Sequence, residues 1–264
     1  MSAPLQDKVA LVTGGSRGIG LAIAEKLGQM GCEVVIAARK RDELEKAAQS
    51  IRNNGARCES IPCDVSSLSD VQQLADRIGD RRKKLKIVIN NAGIGGFSSP
   101  LHETDPETWD KIINTNLRGG YYLIRTFAPM LIANGGGDIV NISSLAGKNA
   151  LPNGAAYSAS KWGLNGLSYS VAEELRAYNI RVTVVCPGPV PSEFQARAGF
   201  RPGFDSVVLK VLPADVALQA YRGLMANKRA VMPGIGIKIV PFLLRFFPRG
   251  FILGAVGRLQ LRQR

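Results

Sequence analysis

Near its N-terminus the chain reads as a strand, a glycine-rich turn and a helix with nothing between them. That order restricts the fold more than any other feature. Lys8 to Thr13 (KVALVT) is a short apolar run rich in valine. Gly14-Gly15-Ser16-Arg17-Gly18-Ile19-Gly20 follows, and then the helical pattern LAIAEKLGQM. A strand that turns on glycines directly into a helix is the context a dinucleotide site requires. Glycine lets backbone approach a pyrophosphate, and the helix N-terminus faces its negative charge. The spacing is Gly-x-x-x-Gly-x-Gly rather than the more familiar Gly-x-Gly-x-x-Gly.

Further along, apolar β-branched runs recur at Glu33–Ala37, Arg57–Pro62, Lys86–Ile89, Asp138–Ile142 and Arg181–Cys186, with a seventh strand expected at Ala230–Met232. Helical patterns fall between them at Asp42–Asn53, Ser69–Arg82, Pro106–Ala133 and Ala155–Tyr178. Strands alternating with helices predict a doubly wound α/β Rossmann fold: a mostly parallel seven-stranded sheet with helices on both faces. The 264 residues fit one α/β domain, and with 45% apolar residues they can bury a substantial core. Residues 1–234 are read as one dinucleotide-binding catalytic domain, and residues 235–264 as a basic, apolar C-terminal extension. Gly135-Gly136-Gly137 reads as a turn before the fifth strand, and Arg81-Arg82-Lys83-Lys84 as a solvated helix end.

A second constellation carries chemistry. Tyr157 and Lys161 are four residues apart, so on a helix they share a face, and Ser144 lies thirteen residues before the tyrosine. A free tyrosine titrates near ~10 and shuttles protons poorly at neutral pH. A fixed cation beside it favours the phenolate. A shift of roughly three units asks for about 4 kcal/mol, which one close lysine and a positively charged cofactor ring can supply together. The expectation is a phenol acidified by its neighbour, able to exchange a proton near pH 7. Ser143 is the alternative hydroxyl.

With these residues in hand, the chain resembles the short-chain dehydrogenase/reductase family, of the short-subunit, NADP-preferring type that includes carbonyl reductases and 3-oxoacyl-carrier-protein reductases. The matching segments are TGGSRGIG (Thr13 to Gly20), CDV (Cys63 to Val65), NNAG (Asn90 to Gly93), Asn116 within NTNL, ISS ending at Ser144, YSASK (Tyr157 to Lys161) and PGPV (Pro187 to Val190). They cover roughly residues 5 to 195. The resemblance implies catalytic roles for Asn116, Ser144, Tyr157 and Lys161, with Asn116 holding a water that replenishes the proton. It implies a nicotinamide dinucleotide cofactor held by Gly14, Ser16, Arg17, Gly18, Ile19 and Gly20, with Asp64 and Val65 beside the adenine. Asn91, Ala92 and Gly93 would follow the fourth strand, with Asn91 tying neighbouring strands together. Pro187, Gly188, Val190 and Ser192 would lie near the nicotinamide.

The choice between the two nicotinamide cofactors rests on the end of the second strand. A carboxylate there binds the adenosine ribose and repels a 2′-phosphate. That position is Ala38, followed by Arg39 and Lys40, and Arg17 sits in the glycine turn. Guanidinium groups clamp phosphate with charge-assisted bonds, so NADP(H) is the expected cofactor.

The expected reaction is hydride transfer to a carbonyl carbon, with Tyr157 donating the proton. A substrate loop is placed at residues 189–212, made apolar by Phe194, Phe200, Phe204, Val207, Val208 and Leu209, with Phe97 and Leu151 adding to the wall. A hydrophobic carbonyl substrate fits such a wall, and so does simple packing of a lid. The alternatives are a 3-oxoacyl-carrier-protein reductase and, from another class, a non-catalytic dinucleotide sensor or membrane-associated scaffold.

The net charge of +13 is concentrated at the C-terminal end: beyond Asp215 there are nine basic residues and no acidic one. That imbalance suits an acidic partner, whether phosphorylated substrate, carrier protein or anionic membrane surface. Nucleic acid is not expected, because no recognised binding module accompanies the charge. The stretch 235–256, IGIKIVPFLLRFFPRGFILGAV, is interrupted by prolines and cations, which argues against a membrane span and suits peripheral membrane contact or a subunit interface. A homo-oligomer, dimer or tetramer, is expected. No N-terminal signal is visible, and the four cysteines read as reduced thiols of a cytoplasmic protein. Without a Cys-x-x-Cys pair, and with His102 as the single histidine, no metal site is expected. His102 itself suits a loop or helix-capping role.

Overall fold

The structure is a computed structural model and describes residues 5–96, 99–191, 194 and 211–234. Seven strands form one sheet: β1 (Val9–Thr13), β2 (Glu33–Ala38), β3 (Cys58–Pro62), β4 (Leu85–Asn90), β5 (Gly137–Ile142), β6 (Ile180–Val185) and β7 (Ala230–Val231). Their order is β3-β2-β1-β4-β5-β6-β7, and every pairing is parallel. The α-helices among the described residues are α1 (Gly18–Gln29), α2 (Arg41–Asn53), α3 (Leu68–Arg77), α4 (Pro106–Ile113), α5 (Gly119–Ala133), α6 (Ala155–Glu174) and α7 (Pro213–Met225).

Parallel strands covered on both faces should be apolar throughout, and β1 is buried at all five positions. Alternate residues of one strand then serve two cores. Ala10, Val12, Val34 and Ile36 pack under α1, α2 and α7. Val9, Leu11, Val35 and Ala37 pack against α3, α5 and α6, where Phe127 is fully buried.

The strand order places the switch point between β1 and β4. The chain builds β2 and β3 on one side of β1, then crosses over to build β4 to β7 on the other. Ligands of open α/β sheets bind in the crevice left there, outside the carboxyl ends of the strands. Thr13 closes this point. Its hydroxyl donates to the Ile89 carbonyl at 3.2 Å and accepts from the amides of Asn91 at 3.1 Å and Ala92 at 3.2 Å. Asn91 returns its side-chain amide to the carbonyls of Thr13 at 2.9 Å and Gly14 at 3.2 Å. The expected tie between strands is therefore present.

Two helices depart from the sequence reading. The pattern Ser69–Arg82 is not one helix: α3 stops at Arg77, and Gly79 in a left-handed conformation (φ +59°) leads into a 3₁₀ turn, Gly79–Lys84. The pattern Pro106–Ala133 contains a π turn, Asn114–Arg118, between α4 and α5. Such bulges are frequent at functional sites, and this one carries Asn116. His102 is exposed on a 3₁₀ turn, Leu101–Glu103, while Asp105 caps α4 by accepting from the Thr108 amide at 3.1 Å. Among the described residues, no helix is long and apolar enough to cross a membrane. The extension 235–264 and most of the loop 189–212, including Phe200, Phe204, Val207, Val208 and Leu209, lie outside the described residues, as do Phe97 and Ser192.

The switch point yields a test of the glycine turn. A methyl group at Gly20 would collide with the Gly14 carbonyl and the Asn91 amide. Overpacking of this kind costs roughly 1–3 kcal/mol. Gly20→Ala is expected to lower Tm by about 2–10 °C and to weaken dinucleotide binding. Unchanged melting and binding would mean that the contact is soft.

Candidate functional site

A cleft of about 870 Å³ runs along the carboxyl ends of the strands, from the glycine turn to Tyr157. The predicted residues Gly14, Ser16, Arg17, Gly18, Ile19, Arg39, Lys40, Asp64, Val65, Asn91, Ala92, Gly93, Ser144, Tyr157, Lys161, Pro187, Gly188 and Val190 all border it. Gly20 and Asn116 do not; they stand behind its wall.

The glycine end fits a dinucleotide by three observations. Gly14 (φ +63°) and Gly18 (φ +57°) hold left-handed conformations that an L side chain would strain. A Cβ on Gly14 would stand 2.8 Å from the Asn91 amide nitrogen, so the turn is pressed against the β4 end. Helix α1 begins with neither a capping side chain nor an acidic residue in its first turn, which leaves its N–H groups facing the cleft. Beyond the turn, three cations gather at the end of β2. Arg17 pairs with Glu43 at 3.0 Å, Lys40 with the other oxygen of Glu43 at 2.7 Å, and Arg39 with Asp64 at 3.8 Å. Glu43 bridging two cations escaped the sequence reading. Its position, in the first turn of the helix that follows Lys40, was the available signal.

At the other end, the start of α6 sets Tyr157 and Lys161 on one buried face, 6% and 4% exposed. The Ser144 hydroxyl hydrogen-bonds the phenol and accepts from the Ala146 amide at 3.1 Å, which fixes its direction. Ser143 instead turns its hydroxyl to the Lys161 carbonyl at 3.4 Å. Lys161 Nζ donates to the Ile142 carbonyl at 2.9 Å and stands 5.8 Å from the centre of the Tyr157 ring.

The expected acidification of the phenol is not met in the chain alone. Burial pushes Tyr157 up to about 12, outweighing the downward pull of the Ser144 hydrogen bond. Burial also pulls Lys161 down to about 8. Both shifts have one cause: each charged form would sit in a dry site. The sequence places the pair correctly on one helix face but contains no measure of desolvation. The buried Cys186 thiol beside them is raised for the same reason.

Asn116 is spent as a clamp. Its Oδ1 accepts from the Ile94 amide at 2.8 Å, and its Nδ2 donates to the Ile94 carbonyl at 2.9 Å and to Ser160 Oγ at 3.0 Å. A Cβ on Gly93 would meet Asn116 Oδ1 at 3.2 Å and Lys161 Nζ at 3.6 Å, so both groups border that one glycine. The substrate side has an apolar wall. Ile112, Ala146, Ala156 and Tyr157 form a small core of their own, with Ile94, Trp109, Leu151 and Phe194 packed on it. The Tyr157 and Phe194 rings are 6.0 Å apart. Ile94 and Ile112 were not foreseen; the helical spacing of Ile112 from Trp109 would have marked that face. All four cysteines, Cys32, Cys58, Cys63 and Cys186, are free thiols.

Known proteins give the same picture. The short chain dehydrogenase family model matches residues 8–200. The mouse dehydrogenase/reductase SDR family member 4 is 33% identical over 193 residues, covering 73% of this chain and 69% of that protein. The uncharacterized oxidoreductase YxbG of Bacillus subtilis is 34% identical over 186 residues, covering 70% and 68%. Among solved structures, a metagenomic short-chain oxidoreductase in complex with NADP is 40% identical, with a TM-score of 0.74, covering 88% of this chain and 99% of that one. A short chain dehydrogenase/reductase from Burkholderia phymatum in complex with NAD is 27% identical, with a TM-score of 0.79, covering 86% and 89%. The chain belongs to the short-chain dehydrogenase/reductase family of nicotinamide-dependent oxidoreductases.

Proposed function

We propose that the chain reduces a carbonyl compound with NADPH, with Tyr157 as the proton donor. The observation that carries this reading is the Ser144–Tyr157 hydrogen bond, with Lys161 beneath the ring, at the apolar end of a cleft that begins on the glycine turn.

When bound, NADPH supplies the hydride that reaches the carbonyl carbon. Everything else falls to the chain. The α1 N-terminus and the turn Gly14 to Gly20 receive the pyrophosphate, and Asp64 and Val65 flank the adenine. Asn91, Ala92 and Gly93 line the floor. Pro187, Gly188 and Val190 line the nicotinamide end, and Lys161 holds its ribose. Ser144 donates to the substrate oxygen and positions it. Tyr157 gives its proton to that oxygen, so the product is an alcohol and the tyrosine is left needing a proton. Asn116 fixes the Ile94 loop, and a water held beside it would carry the replacing proton towards Lys161. A phenol kept neutral by burial suits reduction, because the acid form is the one required. Oxidation would need the phenolate that burial disfavours.

NADPH is favoured over NADH by the three cations at the β2 end. Glu43 and Asp64 hold Arg17, Lys40 and Arg39 in place before the cofactor arrives. A 2′-phosphate would then exchange with a carboxylate rather than order loose side chains. Soluble dimers or tetramers fit the family, and a cytoplasmic setting fits the unpaired cysteines.

Tyr157→Phe is expected to leave NADPH binding nearly intact and to cut turnover by roughly 10²–10⁴-fold; a fully active variant would contradict the assignment. Arg39→Ala is expected to raise the KM for NADPH about tenfold and to move the KM for NADH little. Equal effects would remove the cofactor argument. The reductive kcat/KM should be level at neutral pH and fall as pH rises through about 8, where Lys161 loses its proton. Arginine does not deprotonate in this range, so in Lys161→Arg the fall should disappear from that window. A wild-type profile level to pH 10 would contradict a role for the ammonium.

A further inference from the structure

The charges along the cleft are not spread evenly. Seven of the described residues bordering it are ionisable side chains of Arg, Lys, Glu or Asp: Arg17, Arg39, Lys40, Glu43, Asp64, Lys111 and Lys161. Five gather at the adenosine end, where both carboxylates are paired with cations. Among the described residues at the catalytic end there is no carboxylate. Lys161 is buried there and committed to the Ile142 carbonyl. That leaves Lys111, on α4.

Lys111 adjoins Ile112, which is 2% exposed and packs in the same small core as Tyr157. One face of α4 thus closes the apolar wall while Lys111, exposed on the same helix, borders the cleft. Thr108, one turn earlier, borders the cleft too, and Asn149 does so from beyond β5. Glu107, four residues before Lys111, makes no ion pair with it, and no hydrogen bond or ion pair engages the Lys111 ammonium among the described residues. A lysine stem can lie along apolar surface while its head stays wet. Ile94, Leu151 and Phe194 pack on the cluster that contains Tyr157 and border the same cleft as Lys111.

We propose that Lys111 is a binding residue for an anionic group on the substrate. This rests on the carbonyl-reductase reading and narrows it. The substrate class is an oxo compound whose carbonyl is separated by an apolar segment from a carboxylate or a phosphate. The anion docks at Lys111, with the Asn149 side chain bordering the same cleft, while the carbonyl reaches Ser144 and Tyr157; the Thr108 hydroxyl is turned to the Asp105 cap at 3.5 Å. One chemistry, an anion at the mouth, covers free oxo-acids and phosphate-bearing oxo-esters or thioesters.

The test is NADPH consumption by the full chain with matched pairs. One set holds medium-chain oxo-acids, with the carbonyl at varied distance from the carboxylate, and their neutral methyl esters. A second set carries a terminal phosphate monoester in place of the carboxylate. Wild type is expected to favour the anion over its neutral partner by about fivefold in kcat/KM at low salt, less at high salt. Lys111→Ala should bring the pair to parity, Lys111→Glu should invert it, and Lys111→Arg should keep it. The KM for NADPH should stay constant throughout. The set with the larger preference identifies the anion. Turnover with equal rates for acid and ester in wild type, or a preference unmoved in Lys111→Glu, overturns this inference and leaves the carbonyl reading standing. Reduction of no member of either set overturns the carbonyl reading and the inference with it.

Discussion

The hydroxyl of Thr13 ties the two halves of the sheet together where the direction of winding reverses. A parallel sheet wound in two directions must part its chain connections at one place, here between β1 and β4. The crevice that results would leave the Asn91 and Ala92 amides without ladder partners. Thr13 accepts from both and donates across to Ile89, while Asn91 returns two bonds to the start of the glycine turn. Buried backbone polar groups left unpaired cost about 1–3 kcal/mol each, so the knot fixes where the crevice opens. With it fixed, Gly14 can press against Asn91, and the α1 N-terminus is aimed along the cleft.

From that point the catalytic end follows by burial. A second polar chain crosses the sheet beneath it: Asn90 donates to Asn141 at 3.1 Å, and Asn141 to Ser168 at 2.8 Å, which ties β4, β5 and α6 together. α6 is thereby held at the height where Tyr157 and Lys161 meet Ser144. The site is dry, so each ionisation is disfavoured, and the tyrosine and the lysine move in opposite directions. A phenol kept protonated and an ammonium brought near neutrality are one consequence of one environment. The protonated phenol is the form that the proposed reduction requires.

Much of this was legible in the sequence, and the gaps have physical causes. The seven strands are legible within a residue or two because the central ones, buried on both faces, are largely apolar, while the edge strand β3 has a single buried position and shows as a short run bounded by turns. The helix expected at Ser69–Arg82 failed at Gly79, where glycine chemistry overrode a continuing polar pattern. The helix at Pro106–Ala133 hid a π turn, since a bulge of this kind leaves the apolar spacing on either side intact. Spacing alone chose Ser144 over Ser143, and the structure turns only Ser144 towards the phenol. The acidified phenol was misjudged because pairing is written in sequence spacing and desolvation is not. Glu43 and Lys111 look like any other helix charges in the sequence; what sets them apart is the cleft that folds beside them.

The two groups of cations in that cleft differ in what an incoming anion must do. At the adenosine end the cations already have carboxylate partners in Glu43 and Asp64. On the proposed NADPH reading a 2′-phosphate would trade places with a carboxylate, so the count of charge-assisted bonds would change little, and the gain would come from the phosphate's greater charge and oxygen number. At the mouth, no anion has to leave Lys111, but a mobile ammonium must be ordered, and exposure to solvent weakens the attraction. The first arrangement suits a tightly held cofactor. The second suits a substrate that must bind, react and leave in each cycle.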